Sequence, residues 1–151
     1  MSSFEIIGGQ PLSGEIIPQG AKNEALQVIC ATLLSDEEIT INNVPNIRDV
    51  NKLIELLEYL GVKVNKLGKE SYSFQANRVD ISRIYTERYS QMAASLRGSI
   101  MLVGPMLARF KEAYIPTPGG DKIGRRRLDT HFTGFEKLGA DFRYDFDTKA
   151  Y

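Results

Sequence analysis

Apolar residues recur along the chain with two different periods, and the changes of period mark out its elements. From Lys22 onward, Leu26, Ile29, Cys30 and Leu33 fall on one face of a helix, and Val50, Leu53, Ile54, Leu57 and Leu60 mark a second amphipathic helix. Gly61 stands where a left-handed residue would end that helix. Between the two helices EEITINNVP reads as a strand, and beyond them VKVNKL and SYSFQA alternate as a hairpin about Gly68. Residues 4–7 and 12–17, rich in isoleucine and bounded by glycine and proline, predict two further strands. A long helical segment is predicted from Thr86 to Arg109, kinked or broken near Pro105. A strand over 112–117 follows, then a helix whose face is Leu128, Phe132, Phe135 and Leu138, then a strand in GADFRYDF. Helix, Leu-Gly and strand thus occur twice, with the two leucines 78 positions apart, from 60 to 138. Together with the matching elements on either side, this predicts an internal repeat of helix, strand, helix and strands. The expected class is α/β, with helices packed against mixed sheets.

Charge narrows the functional classes. The 151 residues carry 19 basic and 19 acidic side chains, so the chain lacks the uniform field of a nucleic-acid coat or a membrane-surface protein. Any attraction for anions must be local. Cys30 is the only cysteine and lies inside LQVICATLL, which argues against a disulfide framework and against a cysteine-based metal site. MSSFEIIGGQ lacks the features of a secretory signal, and GSIMLVGPMLARF is too short and interrupted to span a bilayer. A soluble cytoplasmic protein with no membrane partner is expected. The closing ADFRYDFDTKAY reads as a strand reaching a turn with nothing after it to pair, which suggests a fragment.

Two stretches concentrate groups suited to anions. In GAKNEA a strand turns into a helix whose first amides lack partners; Lys22 would add a charge there and Asn23 a neutral donor and acceptor. It is not a Walker A loop, because Ala21 separates Gly20 from Lys22 and Asn23 replaces the metal-binding hydroxyl. An ordinary helix start with a solvated lysine is the competing reading. In PTPGGDKIGRRRLDTHF, Gly119, Gly120 and Gly124 permit a moving lid that carries Asp121, and Arg125, Arg126 and Arg127 stand where a helix dipole disfavours cations. A surface loop with a turn aspartate competes with an anion site, for which planar guanidinium groups are suited. Arg97, next to Gly98 in an apolar stretch, reads as a core-edge arginine paired to an acid or as a ligand contact. His131 falls at the edge of a packed face and reads as structural. The tyrosines form no strand-spaced stacking platform for single-stranded RNA.

GAKNEAL, NVPNIRDV, LRGSIMLVGPMLARF, PGGDKIGRRRLDTH and LGA occur in this order. With them the chain resembles, over essentially all its length, the N-terminal part of the UDP-N-acetylglucosamine 1-carboxyvinyltransferase family, the enolpyruvyl transferases that open peptidoglycan synthesis. The resemblance implies a longer enzyme of two domains, each an inside-out α/β barrel of three repeats, with the active site in the cleft between them. Residues 1–20 would form N-terminal strands partly belonging to the other domain, and residues 21–151 an incomplete first catalytic domain of about two repeats. The implied partners are phosphoenolpyruvate and UDP-N-acetylglucosamine. No cofactor, metal or nucleic acid is implied.

Carried over by position, the resemblance makes Lys22 and Asn23 the phosphoenolpyruvate-binding pair and Arg97 a contact of the UDP-sugar. Arg126, Arg127, Leu128, Asp129 and Thr130 match the stretch that holds the nucleotide sugar, with Arg126 also near the phosphate of phosphoenolpyruvate. Arg127 departs from the proline often found there. Asp121 stands where many members have cysteine and matches an aspartate subgroup; it would be the general acid that protonates C3 of phosphoenolpyruvate. A carboxyl of ordinary pKa, about 3.9, is ionised at neutral pH, so burial or the substrate anions would have to favour its protonated form. Fosfomycin alkylates the thiolate of the cysteine members, and a carboxylate is the poorer nucleophile, so resistance is expected. The 151 residues alone are expected to turn nothing over. A shikimate-pathway enolpyruvyl transferase and a non-catalytic phosphate- or RNA-binding module are the competing identities; GAKNEAL counts against the first and zero net charge against the second.

Overall fold

The computed structural model describes residues 3–117, 119 and 127–151. Both predicted N-terminal helices form where their apolar faces require: α1, Lys22–Ala31, continues into a 3-10 turn at Thr32–Leu34, and α2 spans Arg48–Tyr59. Leu26, Ile29, Cys30 and Leu33 from the first, and Val50, Leu53, Ile54, Leu57 and Leu60 from the second, are buried in one core. Strands β1, Glu38–Ile41, β2, Lys63–Lys66, and β3, Tyr72–Gln75, make a sheet of order β1-β3-β2. Every pairing in it is antiparallel rather than mixed, and the central Phe74 stands opposite Ile39 on one side and Val64 on the other. Phe74 is fully buried.

Two helix ends, each of them at one of the Leu-Gly pairs, close in the same way. Gly61 takes φ +100° and Gly139 φ +94°. The Val62 N–H donates to the Leu57 carbonyl and the Ala140 N–H to the Phe135 carbonyl, each at 3.0 Å. These are equivalent six-residue closures that end a helix through a left-handed glycine. The second of them follows α5, Asp129–Lys137. Here Phe132 is buried and Leu128 and Phe135 are partly so, but Leu138, expected on the packed face, is exposed, because it lies past the last helical turn.

The segment predicted as one long helix is divided elsewhere than at Pro105. A 3-10 stretch at Ile81–Tyr85 precedes it, and the segment itself comprises helix α3 at Glu87–Ala94, a second 3-10 stretch at Arg97–Leu102, and helix α4 at Val103–Phe110. The break is at Leu96, which is extended, and serines sustain it: Ser95 Oγ donates to the Met92 carbonyl, and Ser99 Oγ lies within hydrogen-bonding distance of the Ala93 and Leu96 carbonyls. Pro105 is the third residue of α4, where an amide has no partner within the helix, so the proline costs nothing there.

Four predicted strands do not form. Residues 4–7 and 12–17 have no regular structure, and Ile6, Ile7, Ile16 and Ile17 are 83–90% exposed. Isoleucine-rich residues favour a strand only where a neighbouring strand takes up their backbone groups, and none does so among the described residues. Residues 112–117 and 139–146 give only single bridges, Pro116 to Ala150 and Asp145 to Ala150. The final residues do find a partner: Ile115 and Tyr151 exchange two backbone hydrogen bonds of 2.8 Å after a turn at Asp145.

Candidate functional site

Helix starts converge on one cleft of about 580 Å³. Lys22 and Asn23 open α1, Arg48 and Asp49 open α2, Arg97 and Gly98 open the second 3-10 stretch, and Arg127 and Leu128 lead into α5; all eight line it. Each start leaves amides without helical partners and brings the positive end of a peptide dipole toward the cleft. Close packing sets the approach. A Cβ on Gly20 would collide with the Asn43 carbonyl oxygen, so the residues just before α1 lie against the β1–α2 connection. A Cβ on Gly98 would come within 3.0 Å of Leu26 Cδ1, which seats Arg97 against α1.

Among the described residues the lining holds five cations, Lys22, Arg48, Lys52, Arg97 and Arg127, against one carboxylate, Asp49. The chain as a whole is neutral, so this is the local positive field that its balance of charges requires of any anion site. Lys22 Nζ lies 2.9 Å from Asp49 Oδ2. Lys52 Nζ donates to the Ser95 carbonyl and hydroxyl oxygens, both at 3.2 Å, and so fastens α2 to the end of α3. Arg127 forks onto Asp129, Nε to Oδ1 at 3.1 Å and Nη2 to Oδ2 at 2.7 Å. Arg97 is half-buried at the cleft, and no carboxylate among the described residues pairs with it.

Of the residues singled out by sequence, Lys22, Asn23, Arg97, Arg127 and Leu128 share this cleft. Asp129 and Thr130 begin α5 beside it without lining it. Asp121 and Arg126, together with Gly120, Lys122, Gly124 and Arg125, lie outside the described residues. His131, expected at the edge of a packed face, is exposed and lines the cleft. Arg48, Asp49 and Lys52 were not singled out. Their signal was a cationic pair four residues apart on the polar face of a helix whose first turn is RDVN. Cys30 is fully buried, and burial pushes its thiol pKa far up, which removes it as a nucleophile. Among the described residues no group of three or more His, Cys, Asp or Glu is arranged to hold a metal ion, and no helix is long and apolar enough to cross a membrane.

The chain is similar over nearly its whole length to curated proteins. It is 61% identical, over 96% of its length, to the UDP-N-acetylglucosamine 1-carboxyvinyltransferase of Bacteroides thetaiotaomicron, covering 33% of that protein. Over its full length it is 59% identical to the same enzyme of Bacteroides fragilis and 52% identical to that of Porphyromonas gingivalis, covering 35% of each. The chain therefore spans about a third of the length of these curated relatives. Among solved structures, the crystal structure of the enolpyruvyl transferase NikO from Streptomyces tendae matches 95% of this chain and 30% of its own, with a TM-score of 0.72 at 20% identity. That match shows a shared fold, and with it the helix and strand units of an incomplete α/β domain. The model of one family, described as EPSP synthase (3-phosphoshikimate 1-carboxyvinyltransferase), matches residues 6–150, and this chain belongs to that family.

Proposed function

We propose that these residues form one wall of the active site of an enzyme that transfers the enolpyruvyl group of phosphoenolpyruvate to the 3-hydroxyl of UDP-N-acetylglucosamine, in the cytoplasm, as the first committed step of peptidoglycan synthesis. The observation that carries this reading is the convergence of helix starts and five cations on one cleft, which suits two phosphorylated substrates. The relatives at 52–61% identity favour the UDP-sugar as acceptor. Residues 1–20 are read as strands completed partly against the other domain, which accounts for their uncovered isoleucines. Residues 21–151 are read as the incomplete first catalytic domain.

The roles are those that the family resemblance implies. Lys22 and Asn23, with the first amides of α1, hold the phosphate of phosphoenolpyruvate, and Arg126 approaches the same group. Arg97, Arg127, Leu128, Asp129 and Thr130 hold the nucleotide sugar, which requires Arg127 and Asp129 to exchange part of their mutual contact for it. The sugar's 3-hydroxyl oxygen gives up its proton to a base and bonds to C2 of phosphoenolpyruvate, while Asp121 delivers a proton to C3. Loss of a proton from C3 with departure of phosphate restores the double bond. The cations stabilise the leaving phosphate, and basic neighbours oppose protonation of Asp121, so burial and the substrate's own negative charge must outweigh them.

The test is phosphate release by a protein of the relatives' full length that carries this sequence. Release is expected only with both phosphoenolpyruvate and UDP-N-acetylglucosamine, with no time-dependent loss after incubation with fosfomycin, and none is expected from residues 1–151 alone. The family description gives a second reading, with 3-phosphoshikimate as acceptor. Release with that acceptor instead would reassign the substrate, and inactivation with a fosfomycin adduct on Asp121 would contradict the aspartate's assignment.

A further inference from the structure

One contact in the cleft opposes the anion binding that the rest of it favours. Asp49 is the only carboxylate among the described lining residues, and it stands against Lys22, on which the proposed phosphate site depends. Stability does not account for it. The side chains are 42% and 39% exposed, and an ion pair that open to water contributes little to folding. Asp49 also sits in the first turn of α2, where the helix dipole already favours a negative charge. What the contact supplies is geometry. A lysine at the start of α1 has a flexible four-carbon stem, and the 2.9 Å bond fixes its ammonium on the line between α1 and α2. Gly20 packed against the Asn43 carbonyl and the α1 core side chains packed against α2 hold the two backbones that carry this pair. The fork of Asp129 on Arg127 repeats the device across the cleft.

We propose that Asp49 is a positioning residue that holds the Lys22 ammonium in place for the phosphate of phosphoenolpyruvate, at the expense of ground-state affinity for that anion. The inference rests on the reading of Lys22 as the phosphate contact. The ammonium has three donors, so it keeps its bond to Asp49 while donating to the phosphate. Asp49 repels the incoming anion but supplies a lysine already aimed at the group that leaves, where a freely rotating one would have to be ordered during each turnover. Removing the carboxylate charge therefore strengthens binding and weakens turnover, a split that a merely structural role would not produce.

The experiment compares the wild-type, Asp49→Asn and Asp49→Glu proteins at full length, by two readouts. The first needs no ligand: the Lys22 ammonium is followed by nitrogen-15 NMR of the lysine side chains. Its signal is expected to be ordered in the wild type, averaged toward that of a free lysine in Asp49→Asn, and partly restored in Asp49→Glu. The second is steady-state kinetics with phosphoenolpyruvate. Asp49→Asn is expected to lower KM about two- to fivefold, the size of a partly exposed charge interaction, and to lower kcat about tenfold. Asp49→Glu should recover part of kcat. An unchanged Lys22 signal in Asp49→Asn overturns the proposal whatever the kinetics show, as does a parallel fall in kcat and rise in KM without rescue by glutamate. An ordered Lys22 signal that does not respond to saturating phosphoenolpyruvate instead removes the reading of Lys22 as the phosphate contact, and the proposal with it.

Discussion

Lys22→Ala is expected to lower kcat/KM for phosphoenolpyruvate by about two to three orders of magnitude in a protein of the relatives' full length, while leaving the fold in place. The size follows from the role. A charged donor aimed at a group on which charge develops is worth about 10²- to 10³-fold when removed, because water cannot supply an equally fixed partner. The fold should be spared because the Lys22 side chain is 42% exposed, its one ion pair is open to solvent, and alanine is the better helix former. Steady-state kinetics together with a thermal melt separates the two effects. A melt within a few degrees of the wild type and a kcat/KM depressed about a hundredfold or more agree with the account. Activity within threefold of the wild type would remove Lys22 from the site.

Phe74→Ala is expected to cost about 3–5 kcal/mol of stability, the range for deleting a fully buried aromatic side chain whose surroundings relax only in part. Phe74 has no exposure and lies on the central strand, with Ile39 and Val64 opposite it, so neither neighbouring strand can close over the space without breaking register. For a domain whose net stability is typically about 5–15 kcal/mol, that loss takes a large share and brings unfolding toward working temperatures. Urea denaturation followed by circular dichroism measures it. A loss below about 1 kcal/mol would mean that β3 is not the strand on which the core is built. The effect also reaches function, because the sheet and α2 are joined by the connection against which Gly20 packs ahead of Lys22.

Elements that bury their own apolar stripe were legible from sequence. Leu26, Ile29, Cys30 and Leu33, and Val50 through Leu60, carry the helical period, and each lies in the core because that period leaves no other face to bury. Gly61 was legible for an equally local reason, since its positive φ is costly for other residues. At 4–7, 12–17, 112–117 and 139–146 the local pattern predicted strands that do not form, because a strand exists only through its neighbour and no window of sequence contains the neighbour. The break at Leu96 was hidden for a related reason. The hydroxyls of Ser95 and Ser99 form it by turning back on the backbone, whereas Pro105 draws attention to a position where proline is harmless.

The candidate site divides in the same way. Lys22, Asn23, Arg97, Arg127 and Leu128 were marked by unusual surroundings, a glycine or a helix start, and the fold brings them to one cleft. Arg48, Asp49 and Lys52 were not, because charges on the polar face of an amphipathic helix look like ordinary solvated residues until a second helix start is placed opposite them. The place of His131 at the cleft was hidden because Leu128 and Phe135 fix the face of α5 that packs but not what stands across from the histidine.

The central claim is that a sugar-nucleotide site is largely built within these residues. Calorimetric titration of UDP-N-acetylglucosamine into the chain of residues 1–151, beside its Arg97→Ala variant, tests it most directly. Saturable binding is expected, weakened about tenfold or more in the variant, the size of one lost charge-assisted contact. No binding, or binding that is indifferent to Arg97, would contradict it.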